Sequence, residues 1–243
     1  MTTTDLPLIV ITGASSGIGA ATARAFSAAG YPLLLLARRL EPMLELGLPK
    51  AMCCAVDVLQ ADEFEKALRG AEATYGPADC LINNAGVMMN APFLEGEPAQ
   101  WDQMIDINIK GVLNGVRLVL QGMATRQCGT IVNIGSIAGV KTFGAHAVYC
   151  GTKFAVHAIS ETIREEVSSK NVRLITIAPG MVETDLVNHT SHDAARDGWW
   201  KYAEQIGGAL KPESIADAIL WSYRMPQSVC VREMIICPTR QEP

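Results

Sequence analysis

Short, almost unbroken apolar runs recur along this chain, separated by stretches with helical periodicity. The runs lie at Leu8–Ile11, Leu33–Leu36, Met52–Val56, Cys80–Ile82, Ile131–Ile134, Leu174–Ile177 and Met234–Ile236. A strand with one wet face alternates apolar and polar residues. A strand apolar at every position is covered on both faces, which is the situation of a parallel sheet. Parallel neighbours cannot be joined by a tight hairpin, so the intervening segments must cross back, usually as helices. Phe154, Ala158, Ile159, Ile163 and Val167 show the helical spacing in one of them. The predicted fold is therefore α/β, a doubly wound parallel sheet of about seven strands with helices on both faces and right-handed crossovers. No repeat, linker or shift in composition divides the chain, and residues 1–243 read as a single domain.

One segment interrupts the alternation. Residues 185–210 mix Trp199, Trp200, Tyr202 and Ile206 with polar side chains. A stretch of that length in a compact domain predicts a substrate lid or binding loop. A pair of short helices on the sheet edge is the other reading, and the two are compatible.

Charge and composition exclude several partners. The net charge is -5 with no basic block, whereas nucleic-acid binding draws on clustered Lys and Arg. The longest apolar stretches, such as Leu33–Ala37, fall far short of the roughly 18 residues that span a membrane. The start, Met1 to Leu6, is polar and lacks the features of a secretory signal. No nucleic acid, no membrane and a cytoplasmic location are expected. The seven cysteines (Cys53, Cys54, Cys80, Cys128, Cys150, Cys230 and Cys237) show no C-x-x-C spacing. They read as reduced core thiols, and no metal is expected.

The first strand runs into Thr12-Gly13-Ala14-Ser15-Ser16-Gly17-Ile18-Gly19, followed by a helical segment with Ala20, Ala21, Ala23 and Phe26. Glycines at a strand-to-helix turn allow a tight turn and close approach to a pyrophosphate, whose charge the helix N-terminus favours. A turn without a ligand is the plain alternative; the placement after the first strand favours a Rossmann-like dinucleotide site. The second strand ends at Ala37-Arg38-Arg39, about 20 residues beyond the glycines, where an NAD site wants a carboxylate for the ribose hydroxyls. Two guanidiniums suit the 2′-phosphate of NADP instead. Asp57, with Val58 beside it, follows the third strand and could accept from the adenine amino group; a simple turn residue would look the same.

Thr12-Gly13-x-x-x-Gly17-x-Gly19, Asn83-Asn84-Ala85-Gly86, Asn108, Ser136, Tyr149-x-x-x-Lys153 and Pro179-Gly180 together resemble the short-chain dehydrogenase/reductase family. The order and spacing match over nearly the whole chain. The Ala37-Arg38-Arg39 ending, the Tyr149–Lys153 context and the tail Glu233–Thr239 look closest to clavulanate-type aldehyde dehydrogenases and 3-hydroxy acid or serine dehydrogenases. The absence of a glycine-rich tail weakens a 3-oxoacyl carrier-protein reductase reading.

Tyr149 and Lys153 lie one helical turn apart and face the same way. A free phenol has a pKa of about 10, and an ammonium beside it favours the phenolate, as does an oxidised nicotinamide. Tyr149 is thus the expected acid in reduction and base in oxidation, and Ser136 the group that polarises the substrate oxygen. By resemblance, Lys153 also holds the nicotinamide ribose, and Asn108 holds a water linking Lys153 to solvent. Resemblance further implies that Pro179, Gly180, Val182 and Thr184 seat the nicotinamide and that Asn83, Ala85 and Gly86 border the adenine ribose.

The expected activity is hydride transfer between NADP(H) and a small aldehyde, ketone or secondary alcohol, hydroxy acids included. A non-catalytic NADP-binding regulator is the competing class, but such proteins usually lack the Tyr, Lys or Ser, all present here. Expected substrate contacts are Ser136, Ile137, His146, Tyr149, Met181 and Leu186, with Met88, Met89, Ala138 and Trp199 completing a largely apolar pocket. His146 is also readable as an exposed helix-start residue. A homodimer or homotetramer is implied by resemblance, through the helices of Asn108 and Tyr149, with Val112, Val116, Val119, Phe154 and Ile159 as a candidate face that would equally serve a monomer's core.

Overall fold

The computed structural model describes residues 6–242, so Met1–Asp5 of the polar start lie outside it. Seven parallel strands form one sheet in the order β3-β2-β1-β4-β5-β6-β7. They are β1 (Leu8–Thr12), β2 (Leu33–Ala37), β3 (Ala51–Ala55), β4 (Ala78–Asn83), β5 (Gly129–Ile134), β6 (Val172–Pro179) and β7 (Glu233–Ile236). The helices are α1 (Gly17–Ala28), α2 (Glu41–Leu44), α3 (Ala61–Tyr75), α4 (Pro98–Ile105), α5 (Gly111–Arg126), α6 (Ala147–Val167), α7 (Asp193–Gln205) and α8 (Pro212–Arg224).

The alternation of a pleated strand explains the unbroken apolar runs. Leu8, Val10, Leu34 and Leu36 pack in one layer with Phe64 and Leu68 of α3 and Val116 of α5. Their neighbours Ile9, Ile11, Leu33 and Leu35 point the other way, to Phe26 of α1 and Ile215 and Ile219 of α8. Each central strand is thus buried on both sides. Val112, Val116 and Val119 belong to the first layer, the core reading of the two held open for them. The large apolar residues that α4, α5 and α6 leave exposed are Ile105, Leu113 and Phe154.

The order reverses between β1 and β4. In an open α/β sheet that switch point opens a crevice at the carboxyl ends of the strands. The glycine turn after β1 and the Asn84–Gly86 turn after β4 are therefore neighbours, although some 70 residues apart along the chain. Residues Asp106–Lys110 form a π-helical turn joining α4 to α5, an irregularity frequent at functional sites.

The 185–210 segment contains a 3₁₀ turn, Asp185–His189, and α7. Its two ends meet at a bridge between Val182 and Leu210, with the Glu183 N–H donating to Leu210 O at 2.8 Å. Trp199 packs both with the group around Tyr149 and with Met181 and Ile206. Among the described residues no helix is long and apolar enough to cross a membrane.

A buried arginine fastens the far side of the sheet. Arg173 of β6 donates to Thr130 Oγ1 at 2.7 Å and to the carbonyls of Tyr223 and Met225 at 2.8 Å each. Those carbonyls end α8, where a cation complements the helix dipole. Arg173→Met should leave them buried and unpaired, lowering stability by about 3 kcal/mol. A urea titration measures this; a midpoint within error of the wild type would show that the arginine does not hold α8.

Candidate active site

The glycine turn is shaped by contacts that no side chain could tolerate. Gly13 and Gly17 have φ of +65° and +51°, in the left-handed region. A Cβ on Gly19 would sit 2.3 Å from Gly13 O, and one on Gly13 would sit 2.8 Å from Ala85 Cα. Asn84 locks the two turns together, donating from Nδ2 to Thr12 O at 3.0 Å and Gly13 O at 3.2 Å. Thr12 Oγ1 accepts from the N–H groups of Asn84 and Ala85 at 3.0 and 3.1 Å. The sequence reading quoted Asn84 within its motif without giving it this role.

The start of α1 is prepared for an anion. Its N-cap Ser16 makes no side-chain capping bond, and the first turn has no acidic residue. The first-turn amides of Gly17, Ile18 and Gly19 thus keep their positive end of the helix dipole. An open groove of about 500 Å³ lies there, lined by Ser15, Ser16, Gly17, Thr184 and Asp185 among others. Thr184 is close enough that a Cβ on Gly17 would lie 3.0 Å from its methyl. A dinucleotide pyrophosphate fits this cradle. Arg38 and Arg39 stand exposed just past β2, on the same edge of the sheet.

The remaining expected cofactor residues divide. Ala85 and Gly86 reach the crevice; Asn83 does not. Its side chain turns into the core, where Nδ2 donates to Asn133 Oδ1 at 2.9 Å, and Gly115 leaves room for it. Alternation along β4 sends Asn83 and Asn84 to opposite sides, so only one can serve the turn. Asp57 Oδ1 accepts from the Leu59 N–H at 2.9 Å, the turn role held open for it. Val58 is buried against Gly111, and its carbonyl accepts from Asn114 Nδ2 at 2.9 Å. Pro179 ends β6, and Gly180 admits the C-terminal segment, where a Cβ would lie 2.8 Å from Cys237 Sγ. Val182 is buried at the base of the lid.

Asn108, Ser136, Tyr149 and Lys153 converge at the carboxyl end of β5, all buried. Ser136 caps a 3₁₀ turn, Ile137–Gly139, with Oγ accepting from the Ala138 N–H at 3.0 Å. Tyr149, near the start of α6, lies near enough to Ser136 for that side chain to favour its phenolate. Lys153 Nζ donates to Ile134 O at 2.8 Å and lies 5.8 Å from the centre of the Tyr149 ring. A side chain at Gly86 would lie 3.2 Å from Asn108 Oδ1 and 3.9 Å from Lys153 Nζ, so glycine keeps that gap open. Asn108 exchanges bonds with the Val87 N–H and C=O, both at 2.9 Å, and donates to Thr152 Oγ1 at 3.1 Å.

Electrostatics here depart from the expectation drawn from sequence. Burial pushes the Tyr149 phenol up to about 12, against the opposing Ser136 hydrogen bond. Burial also lowers the Lys153 ammonium to about 8. In the protein alone desolvation is the largest influence on both groups.

Two further groups escaped sequence reading. His157, one turn beyond Lys153, has Nδ1 2.7 Å from Glu233 Oε1, and its Nε2 accepts from the Ser136 N–H at 3.4 Å. A Cβ on Gly135 or Gly139 would fall 2.3 or 2.6 Å from this ring, so two glycines around Ser136 make its place. Asn90 bonds His146 through Nδ2 to Nε2 at 2.7 Å. His146 is half-buried at the N-cap of α6, its ring 6.4 Å from that of Tyr149. Met88, Met89, Ala138, Leu186 and Trp199 pack together with Tyr149; Ile137 and Met181 are buried nearby. Only tertiary contacts distinguish Asn90, His157 and Glu233 from other polar residues.

Comparison with known proteins agrees with this arrangement. A family model described as short chain dehydrogenase matches residues 7–195. An uncharacterized oxidoreductase of Staphylococcus saprophyticus is 40% identical over 240 residues, covering 96% of each chain. Among solved structures, the closed form of a serine dehydrogenase complexed with NADP+ superposes with a TM-score of 0.90 at 30% identity, covering 97% of this chain and 96% of that one. An alcohol dehydrogenase from the archaeon Thermococcus sibiricus, complexed with 5-hydroxy-NADP, gives 0.83 at 27% identity, covering 98% and 99%. The matched model, the shared fold and the converging Ser136, Tyr149 and Lys153 make this chain a member of the short-chain dehydrogenase family.

Proposed function

We propose that the protein is an NADP(H)-dependent oxidoreductase acting on a small aldehyde or ketone, or in reverse on a secondary alcohol. The observation that carries this reading is the pair of buried hydroxyls, Tyr149 and Ser136, beside Lys153 at the crevice that also holds the glycine turn. When bound, NADPH supplies the hydride. The glycine turn and Thr184 hold its pyrophosphate, Arg38 and Arg39 its 2′-phosphate, and Ala85 and Gly86 border its adenine ribose. Ser136 and Tyr149 both donate to the substrate's carbonyl oxygen, and Tyr149 gives up its proton as that oxygen gains charge. Lys153 holds the nicotinamide ribose and keeps positive charge near the phenol. The Asn108 side chain is committed to Val87 and Thr152, bracing the turn beside Lys153.

The assay is NADPH absorbance with a panel of aldehydes, ketones and 3-oxo acids, and of 3-hydroxy acids with NADP+. Turnover of 3-oxoacyl thioesters alone would favour the carrier-protein reductase alternative. Saturable NADPH binding with no turnover would favour the regulator.

The lysine sets a pH limit. Below about 8 Lys153 is charged, and above it the proton is lost. In reduction kcat/KM for NADPH, which reports the free enzyme, should fall above that pH, while the phenol at about 12 stays protonated. The same shift opposes folding below about 8, and the opposition fades as pH rises toward the ordinary lysine value of 10.5. A flat profile from about pH 7 to 9 would remove Lys153's charge from the mechanism.

The protein is further proposed to act in the cytoplasm as a homo-oligomer. Outward-facing Ile105, Leu113 and Phe154 on α4, α5 and α6 supply an apolar face for a second copy. Sedimentation of Leu113→Glu against wild type tests this, with a smaller species expected for the variant.

A further inference from the structure

Asn90 stands where three parts of the molecule meet. It follows the Asn84–Gly86 turn, and its backbone N–H and C=O are both engaged by the hydroxyl of Thr190 in the lid. Its side-chain Nδ2 donates to His146, at the head of the helix that carries Tyr149. The residue is 4% exposed, and its Oδ1 has no hydrogen-bond partner among the described residues.

The orientation of this amide is forced by its neighbour. His146 Nδ1 lies 2.5 Å from Gly144 O, which can only accept, so Nδ1 carries the proton. Nε2 of a neutral ring then offers a lone pair, which Asn90 Nδ2 satisfies. Burial lowers the His146 pKa and keeps the ring neutral. Turning the amide over would set Oδ1 against that lone pair. The acceptor therefore stays without a donor from the protein, and buried amide oxygens are seldom left so. Adjoining residues offer it little: Met88 and Met89 precede it, and Leu186 and Trp199 of the lid segment pack with Tyr149.

We propose that Asn90 Oδ1 receives a hydrogen-bond donor carried by the substrate, which makes the substrates small carbonyl compounds or alcohols with a second hydroxyl or an ammonium group near the reacting carbon. A carboxylate, which only accepts, does not serve this position. Because Thr190 grips the backbone of the same residue, the donor would lie beneath the 185–210 segment. This assignment rests on the oxidoreductase reading for which carbon reacts, but the binding preference is measurable without turnover.

Calorimetry on protein saturated with NADP+ compares matched ketones that the oxidised cofactor can neither reduce nor oxidise, because each added hydroxyl is tertiary. The pairs are 3-hydroxy-3-methyl-2-butanone with 3-methyl-2-butanone, 4-hydroxy-4-methyl-2-pentanone with 4-methyl-2-pentanone, and aminoacetone with butanone. In at least one pair the ligand with the donor should bind wild type roughly tenfold to a hundredfold more tightly. In Asn90→Leu that ratio should fall to about one, with NADP+ affinity retained. Equal binding within every pair by wild type would mean that a buried water alone serves the acceptor, overturning the proposal. A preference that survives Asn90→Leu would overturn it too. If the variant fails to fold, the wild-type ratios decide by themselves. NADPH oxidation with the same ketones separates the two readings. Selective binding without turnover keeps Asn90 as the recognition point and removes the proposed activity; turnover without selectivity does the reverse.

Discussion

Tyr149→Phe should reduce carbonyl-dependent NADPH oxidation by about 10²- to 10⁴-fold, the usual span for removing a positioned general acid. The ring keeps its place beside Lys153 and His146, so packing is preserved. What disappears is the hydroxyl that, in the proposed mechanism, gives its proton to the substrate oxygen. NADPH affinity should stay near the wild-type value, since the glycine turn, Thr184 and the arginines are untouched. Stopped-flow turnover paired with a fluorescence titration separates the two quantities. Turnover within a few-fold of wild type would remove Tyr149 from the chemistry and leave another group to supply the proton. Loss of NADPH binding would instead mark the substitution as a disturbance of the crevice.

The second large effect concerns cofactor choice. Arg38→Asp replaces a guanidinium with a carboxylate at the exposed end of β2. The change removes charge-assisted bonds to a 2′-phosphate and adds repulsion, while giving the two ribose hydroxyls of NADH an acceptor. A swing of about 3 kcal/mol, roughly a hundredfold in the ratio of kcat/KM for NADPH over NADH, is expected at low salt. Exposed charges are screened, so the swing should shrink as ionic strength rises. An unchanged ratio would show that the phosphate is read elsewhere; a change borne by Arg39→Asp alone would assign it to that neighbour.

Much of the fold was legible before any coordinates. All seven apolar runs became strands, with ends shifted by no more than two residues. The five inner strands are buried on both faces, the edge strands β3 and β7 stay partly exposed, and parallel pairing requires crossovers. The glycine turn was legible for a related reason, since its residues serve the backbone locally. Tyr149 and Lys153 were legible because helical spacing places them together whatever the rest of the chain does.

The errors and omissions share one cause. Val112, Val116 and Val119 carry no mark telling a core face from an interface face. Asn83 and Asn84 are chemically identical, and the pleat alone decides that Asn84 braces the turn while Asn83 enters the core. His157 pairs with Glu233, 76 positions away, and Asn90 with Thr190, 100 positions away. The phenol's pKa went against expectation because desolvation depends on what surrounds Tyr149, and spacing carries no record of that.

The amino-acid order on its own determined the layered sheet, the phosphate-cradling turn and the Tyr149–Lys153 pair, because each follows from local periodicity or backbone geometry. Tertiary structure alone decided which polar groups are dry, which are partnered, and that Asn90 is left holding a free acceptor. Those properties arise when distant segments exclude water from one another, and exclusion has no local signature.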